Sequence, residues 1–406
     1  MKLVRKGSKQ FQKLINRDSV VKMRVSKSVA KIIENVRTGG DDAVLKYTRK
    51  FDRVKMRVKD LKVTQSEVSA AYQDISPEIV NTLKLVIDNI NKFYRKKRKK
   101  SWKTRGAEGV VLGEKISPLE SVGVYIPSGT VPLVSSVYMT VLPAKIAGVK
   151  RIVMVSPPNE FKTINSHILV MADLLEVNEI YKVGGAQAIA SLAFGTKTIP
   201  KVNKIVGPGN EYVTEAKRQV FGYCDIDMLA GPSEVLILAN QFANPSYVIK
   251  DLMAQSEHYG GLSILVTPSK RLAAIVKKEV EKGYLVLTKN IREAIEITNL
   301  IAPEHLQIMV KNQNKVLKEI NNAGAIFIGP YTPVAVGDYV AGPSHVLPTA
   351  GTARFFSGLG VENFMKTSHL IHYSKKALEE NKDALEKLTS IEGLPKHMDS
   401  VRVRFE

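Results

Sequence analysis

The sequence contains few cysteine and tryptophan residues and no long apolar runs. Its 406 residues include one cysteine, Cys224, and one tryptophan, Trp102. A single cysteine excludes an intrachain disulfide and a thiolate-rich zinc cluster. The sequence has no run of about 18 apolar residues that would indicate a membrane span. The first residues also contain no apolar block of signal-peptide length. We therefore expect a cytoplasmic protein that does not bind membranes.

Acidic residues are scarce relative to basic ones. The chain has 60 Lys and Arg against 39 Asp and Glu, which gives a formal net charge of +21. The densest basic segment is "KFYRKKRKKSWKTR", residues 92–105, in which aromatic residues are interleaved. This composition suits nucleic-acid phosphates, but no nucleic-acid fold signature accompanies it. We favour the solvated end of a long helix that begins near Pro77. A nucleic-acid partner is disfavoured, although a cationic surface could also attract an anionic dinucleotide.

From about residue 110, short apolar strands alternate with helical segments. Examples are the strand "RIVMVSPP", the helix "AQAIASLAFG" and the strand "EVLILA". This alternation predicts parallel α/β sheets, which bind ligands at the points where the strand order reverses. No GxGxxG follows a strand, so the usual glycine fingerprint does not identify a nucleotide site. The first hundred residues look more helical, and the residues after "GTARFFSGLG" look like a helical tail.

The stretch "MAQSEHYGG", residues 253–261, places an amide and an imidazole three residues apart. On a helix, Gln255 and His258 would lie on the same face. Zinc accepts nitrogen and oxygen ligands, and Asp338 could add a carboxylate. The spacing alone leaves this metal site open, because the residues are distant in sequence. The pair His369 and His372 also has metal-binding spacing, but we favour an ordinary helix face there.

Several long motifs occur in one order and carry a resemblance. They include "VGVYIPSGTVPLVSSVYMTVLPAKIAGV", "GGAQAIASLAFGT", "KIVGPGNEYVTEAK", "DIDMLAGPSEVLILAN", "APEHLQ", "GDYVAGPSHVLPT", "ARFFSGLGVENF" and "IEGLPKH". From about Val122 onward, the sequence resembles the histidinol dehydrogenase family. The first hundred residues match only loosely. Small departures occur at Ser128, at Pro343-Ser344 and at Pro395-Lys396, and none removes a proposed ligand.

The resemblance implies an α/β fold with two Rossmann-like parallel-sheet domains, one inserted in the other, in an intertwined homodimer. The implied organisation is a helical N-terminal segment (1–24), a first domain (25–124 and 234–355), a second domain (125–233) and a C-terminal helical tail (356–406). The family's zinc ligands match Gln255, His258, Asp338 and His397. One zinc ion per subunit is expected, and His397 would come from the partner subunit, so the active sites would be shared.

The resemblance also implies a four-electron oxidation of L-histidinol, through L-histidinaldehyde, to L-histidine by two NAD⁺, the final step of histidine biosynthesis. The acid–base residues fall on Glu304 and His305. The substrate contacts match the four zinc ligands together with Ser233, His305 and Glu392. The NAD contacts match Tyr125, Gln187 and Asn210.

Some of these residues also have ordinary structural explanations. Ser233 could cap a helix, with Glu234 in its first turn. Asn210 could be a turn residue after Pro-Gly. Cys224 is interpreted as a packing residue.

Two other functions remain open. One is a related zinc- and NAD-dependent dehydrogenase that oxidises another polar alcohol, such as a sulfonated diol. The presence of both Glu392 and His397 favours histidinol over that alternative. The other is nucleic-acid binding through residues 92–105, which would depend on salt.

Overall fold

A computed structural model describes residues 1–17, 23–128 and 131–406. Residues 18–22 of the expected N-terminal segment (1–24) and the last two residues of "YIPSGT", 129–130, lie outside the described residues. The chain forms two compact units. The first comprises residues 1–97 and 119–364, and the second comprises residues 98–118 and 365–406.

The strands and helices are as follows. The strands are β1 (Lys2–Leu3), β2 (Trp102–Arg105), β3 (Val111–Pro118), β4 (Ser121–Tyr125), β5 (Arg151–Ser156), β6 (Glu179–Lys182), β7 (Lys204–Val206), β8 (Asp225–Ile226), β9 (Glu234–Ala239), β10 (Leu262–Thr267), β11 (Tyr284–Leu287), β12 (His305–Met309), β13 (Ala325–Ile328) and β14 (Met365–His372). The helices are α1 (Lys9–Ile15), α2 (Met23–Phe51), α3 (Gln65–Gln73), α4 (Pro77–Tyr94), α5 (Val134–Ala147), α6 (Ser166–Leu174), α7 (Gly185–Phe194), α8 (Glu211–Val220), α9 (Pro245–Ala254), α10 (Lys270–Glu279), α11 (Ile291–Ile301), α12 (Gln313–Leu317), α13 (Val334–Tyr339), α14 (Lys375–Glu380), α15 (Lys382–Ile391) and α16 (Pro395–Arg402).

The first unit contains two parallel sheets. The first sheet has the order β1-β11-β10-β9-β12-β13, and the second has the order β6-β5-β4-β7-β8. All of their strand pairs are parallel. Around the central strands β9 and β4, both sheets follow the winding order of dinucleotide-binding folds. The predicted parallel α/β architecture is therefore confirmed.

Apolar sequence explains why the central elements are buried. Every residue of β9, "EVLILA", is buried, as expected for a parallel strand covered by helices on both faces. Helix α5 carries a continuous run of buried residues from Ser136 to Ala144, so it is a core helix without a solvated stripe. It ends at Gly148, whose φ of 96° suits a left-handed helix cap.

The N-terminal helices pack differently from the expected domain grouping. Helix α2 is broken at Gly40, which has a φ of 52° and a ψ of −134°. Its apolar face shares one core with the second sheet and with α7 and α8. Residues 25–61 therefore belong with the second sheet, whereas the expected grouping joined 25–124 to 234–355. Helix α2 packs on the second sheet because its apolar stripe is buried against α7 and α8.

The second unit is not the purely helical tail that the sequence analysis expected. Strand β14 pairs antiparallel with β3, and β3 pairs antiparallel with β2. His369 and His372 therefore lie on a strand, where residues three apart project to opposite faces. The expected helix face is wrong, and the two imidazoles do not form a helical metal-binding pair. The three C-terminal helices, α14 to α16, follow this strand.

The basic segment 92–105 is also only partly helical. Helix α4 begins at Pro77, as predicted, and Ser76 caps it by accepting a hydrogen bond from the Ile79 N–H. The helix ends at Tyr94, and residues 102–105 form the exposed strand β2. The alternation in "WKTR" and the pairing with β3 determine this strand. In the part of the chain that the structure describes, we find no helix that is both long and apolar enough to span a membrane.

Candidate active site

The predicted acid–base residues lie at the amino edge of the first sheet. His305 is the first residue of β12 and is paired with Val235, the second residue of β9. Glu234 opens β9 and is paired with Leu262, which opens β10. The helix that follows a parallel strand runs back toward the amino edge, so the carboxyl end of α9 also reaches this edge. Residues distant in sequence are thus brought together by the sheet register.

His305 is held in a defined orientation. Its Nδ1 lies 2.9 Å from the Glu234 carbonyl oxygen, to which it donates a hydrogen bond as Nδ1–H. Its Nε2 lies 3.4 Å from Asp338 Oδ1 and makes no hydrogen bond within the described residues. Burial lowers the pKa of His305, but the Glu304 and Asp338 carboxylates raise it more, to well above 6.5. The ring therefore presents Nε2 toward a second carboxylate.

A pair of buried carboxylates supports this histidine. Glu304 Oε2 accepts a hydrogen bond of 2.8 Å from the Glu234 N–H. The Glu234 carboxylate accepts two hydrogen bonds from Arg17, of 2.8 and 2.9 Å. Burial raises the pKa of Glu234, Arg17 opposes the shift, and Glu304 adds to it. Sequence reasoning did not assign a role to Arg17 or Glu234. The sequence signal that could have identified Glu234 is its position, because it is the one charged residue in the otherwise apolar strand "EVLILA".

The predicted helical pairing of Gln255 with His258 is wrong. Helix α9 ends at Ala254, residues 255–257 form one 3₁₀ turn, and His258 has extended backbone angles. The Gln255 side chain is buried, and its Nε2 has no hydrogen-bond partner among the described residues. His258 is exposed. A Cβ at Gly261 would lie 2.4 Å from the Gln255 carbonyl oxygen, so only glycine permits this tight turn.

The segment around Asp338 connects the amino edge of the first sheet to α5. Asp338 lies on α13 and is half-buried. His345 Nε2 lies 3.0 Å from Ser135 Oγ at the start of α5. Burial lowers the pKa of His345, while Asp338 raises it by a smaller amount. The first turn of α5 therefore borders the cluster that contains Asp338.

Pro143 strengthens this connection. A proline in a helix cannot donate to the carbonyl four residues earlier, which here is that of Met139. The Met139 carbonyl accepts a hydrogen bond of 3.0 Å from Ser344 Oγ instead. The Ser344 N–H donates to the Tyr94 hydroxyl at 2.8 Å. The hydrogen bonds of Ser344 thus fix the backbone that precedes His345.

The predicted NAD residues lie at the carboxyl edge of the second sheet. Tyr125 ends β4, and its hydroxyl accepts a hydrogen bond of 3.2 Å from the Gly185 N–H at the start of α7. Gln187 follows in the same turn of α7 and is fully buried. Asn210 is exposed and caps α8 by accepting hydrogen bonds of 3.0 and 3.1 Å from two backbone N–H groups. All three residues lie where open α/β sheets bind ligands.

A buried ion pair holds the loop that precedes Asn210. The Asp227 carboxylate accepts a hydrogen bond of 2.8 Å from the Gly207 N–H, and Lys217 Nζ donates to the Gly207 carbonyl at 3.0 Å. Lys217 and Asp227 also pair directly, and both side chains are buried. Gly207 has a φ of 119°, and a Cβ there would lie 2.1 Å from the Tyr125 carbonyl oxygen. The ion pair therefore fixes a glycine that packs against β4.

The remaining predicted residues are the expected substrate contacts Ser233 and Glu392 and the expected zinc ligand His397. Ser233 directly precedes β9, and its carbonyl accepts a hydrogen bond of 2.9 Å from the Leu262 N–H. The helix-cap alternative for Ser233 is therefore wrong, because a strand follows it. Glu392 and His397 lie in the second unit, at the end of α15 and in the first turn of α16, and both are exposed.

Two sheets with dinucleotide-binding winding, and a buried imidazole flanked by carboxylates at the edge of one of them, are the arrangement expected of an α/β dehydrogenase. Comparisons with known proteins give the family. The family model described as Histidinol dehydrogenase matches residues 15–405. The chain belongs to the histidinol dehydrogenase family, which confirms the predicted resemblance.

Individual relatives agree over nearly the whole chain. The histidinol dehydrogenase of Caldanaerobacter subterraneus subsp. tengcongensis is 47% identical, over 97% of this chain and 96% of that protein. The histidinol dehydrogenase of Listeria innocua is 47% identical, over 94% and 93%. The crystal structure of histidinol dehydrogenase from Elizabethkingia anophelis has a TM-score of 0.93 at 34% identity, and the match covers 100% of this chain and 98% of that one.

Proposed function

We propose that this protein oxidises L-histidinol, through L-histidinaldehyde, to L-histidine, and that two NAD⁺ are reduced in turn. The overall change converts one alcohol, one water and two NAD⁺ into one carboxylate, two NADH and three protons. The observation that carries the proposal is the orientation of His305. Its Nδ1 is fixed by the Glu234 carbonyl, and its Nε2, beside Asp338, has no hydrogen-bond partner in the part of the chain that the structure describes. This reaction would be the final step of histidine biosynthesis.

His305 is the general base in the alcohol step. Because Nδ1–H is committed to a carbonyl, the neutral ring carries its lone pair on Nε2. Nε2 takes the hydroxyl proton while the carbon gives its hydride to NAD⁺. General-base assistance of this kind is typically worth about 10²–10⁴-fold in rate. A cation on Asp338 would offset that carboxylate and bring the pKa of His305 down toward neutrality.

Glu304 serves the aldehyde step. An aldehyde carries no hydroxyl proton, so it must first add water. The Glu304 carboxylate takes a proton from that water, and the hydrate then gives its hydride to the second NAD⁺. Glu304 Oε2 is held by the Glu234 N–H at 2.8 Å and lies 3.4 Å from His305 Nδ1, so the two groups can divide the work within one site.

The residues of the first unit suit one zinc ion. The buried Gln255 amide, the exposed His258 and the half-buried Asp338 offer oxygen and nitrogen donors, which zinc accepts. Among the described residues, no three His, Cys, Asp or Glu side chains are grouped to hold a metal. The proposed site does not require such a group, because the first unit contributes only one histidine and one aspartate to it, together with the Gln255 amide. His397 would supply the fourth ligand. When bound, the ion would orient the substrate's imidazole and amino groups, with Ser233 and Glu392 as further contacts.

NAD binding is assigned to the carboxyl edge of the second sheet. Tyr125, Gln187 and Asn210 surround the points where β4, β6 and β7 end. The first turn of α5 extends from this edge to His345, so the cofactor edge and the catalytic cluster are adjacent. The cytoplasmic location, the domain insertion and the disfavoured nucleic-acid partner stay predictions.

A shared active site in a homodimer completes the proposal. His397 of the partner subunit would join Gln255, His258 and Asp338. The test mixes two inactive variants, His258→Ala and His397→Ala, by co-refolding. In each mixed dimer one site collects both defects and the other collects none. Random pairing then restores about a quarter of wild-type activity. No recovery in dimers that are demonstrably mixed would count against the shared site.

The central experiment measures NADH formed per L-histidinol consumed by the metal-loaded protein. We expect two NADH per substrate and L-histidine as the product. Thorough removal of the metal should abolish turnover, and added Zn²⁺ should restore it. A sulfonated diol tested in the same assay serves as the control substrate. Turnover of the diol without turnover of histidinol would support the alternative dehydrogenase and overturn the proposal.

A further inference from the structure

Among the residues that the structure describes, several buried polar atoms without hydrogen-bond partners lie near the carboxyl edge of the second sheet. Within the described residues, no hydrogen-bond partner is found for Thr48 Oγ1, Asp52 Oδ2, Ser156 Oγ, Gln187 Nε2 or Gln187 Oε1. A buried polar group without a partner destabilises the folded state. Natural proteins retain such groups where a ligand or solvent satisfies them. Their concentration at one sheet edge therefore indicates a polar binding pocket.

Neighbouring contacts join these atoms into one region. Ser156 ends β5, and a Cβ at Gly184 would lie 2.6 Å from Pro157 Cβ. A Cβ at Gly185 would lie 2.8 Å from Gln187 Oε1, and the Gly185 N–H donates to the Tyr125 hydroxyl. The glycine pair thus connects the end of β5, the end of β4 and the Gln187 amide.

Helix α2 adds two polar groups to this region. The Asp52 N–H donates to the Thr48 carbonyl at 2.9 Å, so the two side chains follow each other at the carboxyl end of α2. Burial raises the pKa of Tyr125 to about 12, and the Asp52 charge adds to that shift. The geometry agrees, because Val44 and Tyr47 of α2 share one buried core with Tyr125, Val183 and Ala186, and α2 packs along α7. The carboxyl end of α2 therefore lies beside this edge. Burial also raises the pKa of Asp52 to about 6, so the group is still ionised at pH 7.5.

The chemistry of an ionised, half-buried carboxylate is selective. Its free oxygen accepts hydrogen bonds from hydroxyl groups, and charge-assisted bonds of this kind are stronger than neutral ones. It repels phosphate, because like charges in a partly buried site are poorly screened. A ribose that carries both hydroxyls is favoured there, and a ribose that carries a 2′-phosphate is disfavoured.

We propose that Asp52, together with Thr48, forms part of the dinucleotide site, where its carboxylate accepts a ribose hydroxyl and selects NAD over NADP. Helix α2 would thereby contribute to cofactor recognition from outside the second sheet. This inference rests on the NAD-dependent reaction proposed above, and it assigns a specificity-determining role to a residue in the loosely matching first hundred residues.

The test measures the Kd of NAD and of NADP by calorimetry for the wild type, Asp52→Asn and Asp42→Asn. Asp42 lies exposed on the same helix and is the matched control. We expect the wild type to prefer NAD. Asp52→Asn should weaken NAD binding about 10-fold and reduce the preference over NADP by about 10–100-fold, since a hydrogen bond to a charged group is lost together with the repulsion of phosphate. Asp42→Asn should match the wild type.

The outcomes separate this inference from the proposed function. Unchanged Kd values for both dinucleotides in a correctly folded Asp52→Asn variant would overturn the role of Asp52 and leave the proposed reaction intact. A wild-type protein that turns over histidinol but prefers NADP would also overturn it. A wild-type protein that binds neither dinucleotide would overturn both. A thermal melt of each variant checks that the fold is retained.

Discussion

The two parallel sheets of the first unit share one winding order but use opposite edges. The second sheet presents Tyr125, Gln187 and Asn210 at its carboxyl edge, as open α/β sheets ordinarily do. The first sheet presents Glu304 and His305 at its amino edge. If the proposed sites are right, winding order predicts where the dinucleotide binds but does not predict where the remaining chemistry occurs.

The use of opposite edges by the two sheets has a physical cause. A parallel strand buried on both faces has polar side chains mainly at its ends, and β9 and β12 carry Glu234 and His305 at their first positions. The amino edge also receives the ends of returning helices, which bring Gln255 and Asp338. Helix α5 then links this edge with the carboxyl edge of the second sheet through Ser135 and His345.

The largest expected effect is the loss of kcat when His305, at the amino edge of the first sheet, is replaced. His305→Asn removes the proton acceptor but preserves polarity and approximate size, so kcat should fall by about 10²–10⁴-fold. The measurement is steady-state NADH formation from L-histidinol. His167→Asn is the control and should retain full activity, because His167 is half-buried in the first turn of α6. A His305→Asn variant with near wild-type kcat would remove His305 from the mechanism.

A large effect is also expected at the carboxyl edge of the second sheet. Asp227→Asn leaves Lys217 buried without its counter-ion, which should cost about 3–5 kcal/mol of unfolding free energy. The KM for NAD should rise more than kcat falls, because the Gly207 loop loses its anchor. Denaturant unfolding and initial rates measure the two effects. The control is Asp225→Asn, where Asp225 is about half exposed and pairs with Lys204 at 2.8 Å. Equal losses in both variants would contradict a special role for the buried pair.

Replacing Asp52 is expected to have a smaller effect on the free energy of unfolding, and to raise it instead of lowering it. Burial raises the pKa of this carboxyl from 3.8 to about 6, so the folded state binds its proton more tightly than the unfolded state does. Stability is therefore lost as pH rises from about 4 to 6, and the loss persists above pH 6. Asp52→Asn should raise the free energy of unfolding at pH 7.5 by about 1–3 kcal/mol. Denaturant melts at pH 4 and pH 7.5 check this, and a variant destabilised at pH 7.5 would contradict it.

The smallest effect tests the connection between the two edges. Ser344→Ala removes the hydrogen bond to the Met139 carbonyl that Pro143 leaves unpaired, at a cost of about 1–2 kcal/mol. The KM for histidinol should rise modestly while the Kd of NAD stays unchanged. Ser357→Ala, in an exposed loop, is the control. A change in NAD affinity without a change in the KM for histidinol would argue against this connection.

The parts of the fold that could be predicted were those with a strong local pattern. The apolar strands "RIVMVS" and "EVLILA" and the long helix α4 are readable because periodicity and caps determine them. Strand β14 was not predicted, since it is formed by pairing with β3 across the sequence. The packing of α2 on α7 and α8 is likewise a tertiary property that its own sequence does not reveal.

The candidate site divides in the same way. Glu304, His305 and Asp338 were predicted from long motifs. The sheet register places Glu304 and His305 beside Glu234, and α13 brings Asp338 to 3.4 Å from His305. The helical pairing of Gln255 with His258 failed because a local spacing rule assumed a helix that ends at Ala254. Arg17, Glu234 and the Lys217–Asp227 pair were missed, because their roles depend on contacts between residues far apart in the chain.

The most direct test of the account compares NAD binding in one variant from each edge. The measurement is the Kd of NAD, by calorimetry, for His305→Asn and for Gln187→Ala. We predict that His305→Asn binds NAD as the wild type does, although it does not turn over histidinol. Gln187→Ala should bind NAD about 3–10-fold more weakly, because a buried amide that serves the cofactor is removed. Loss of NAD affinity in His305→Asn with wild-type affinity in Gln187→Ala would contradict the division between the two edges.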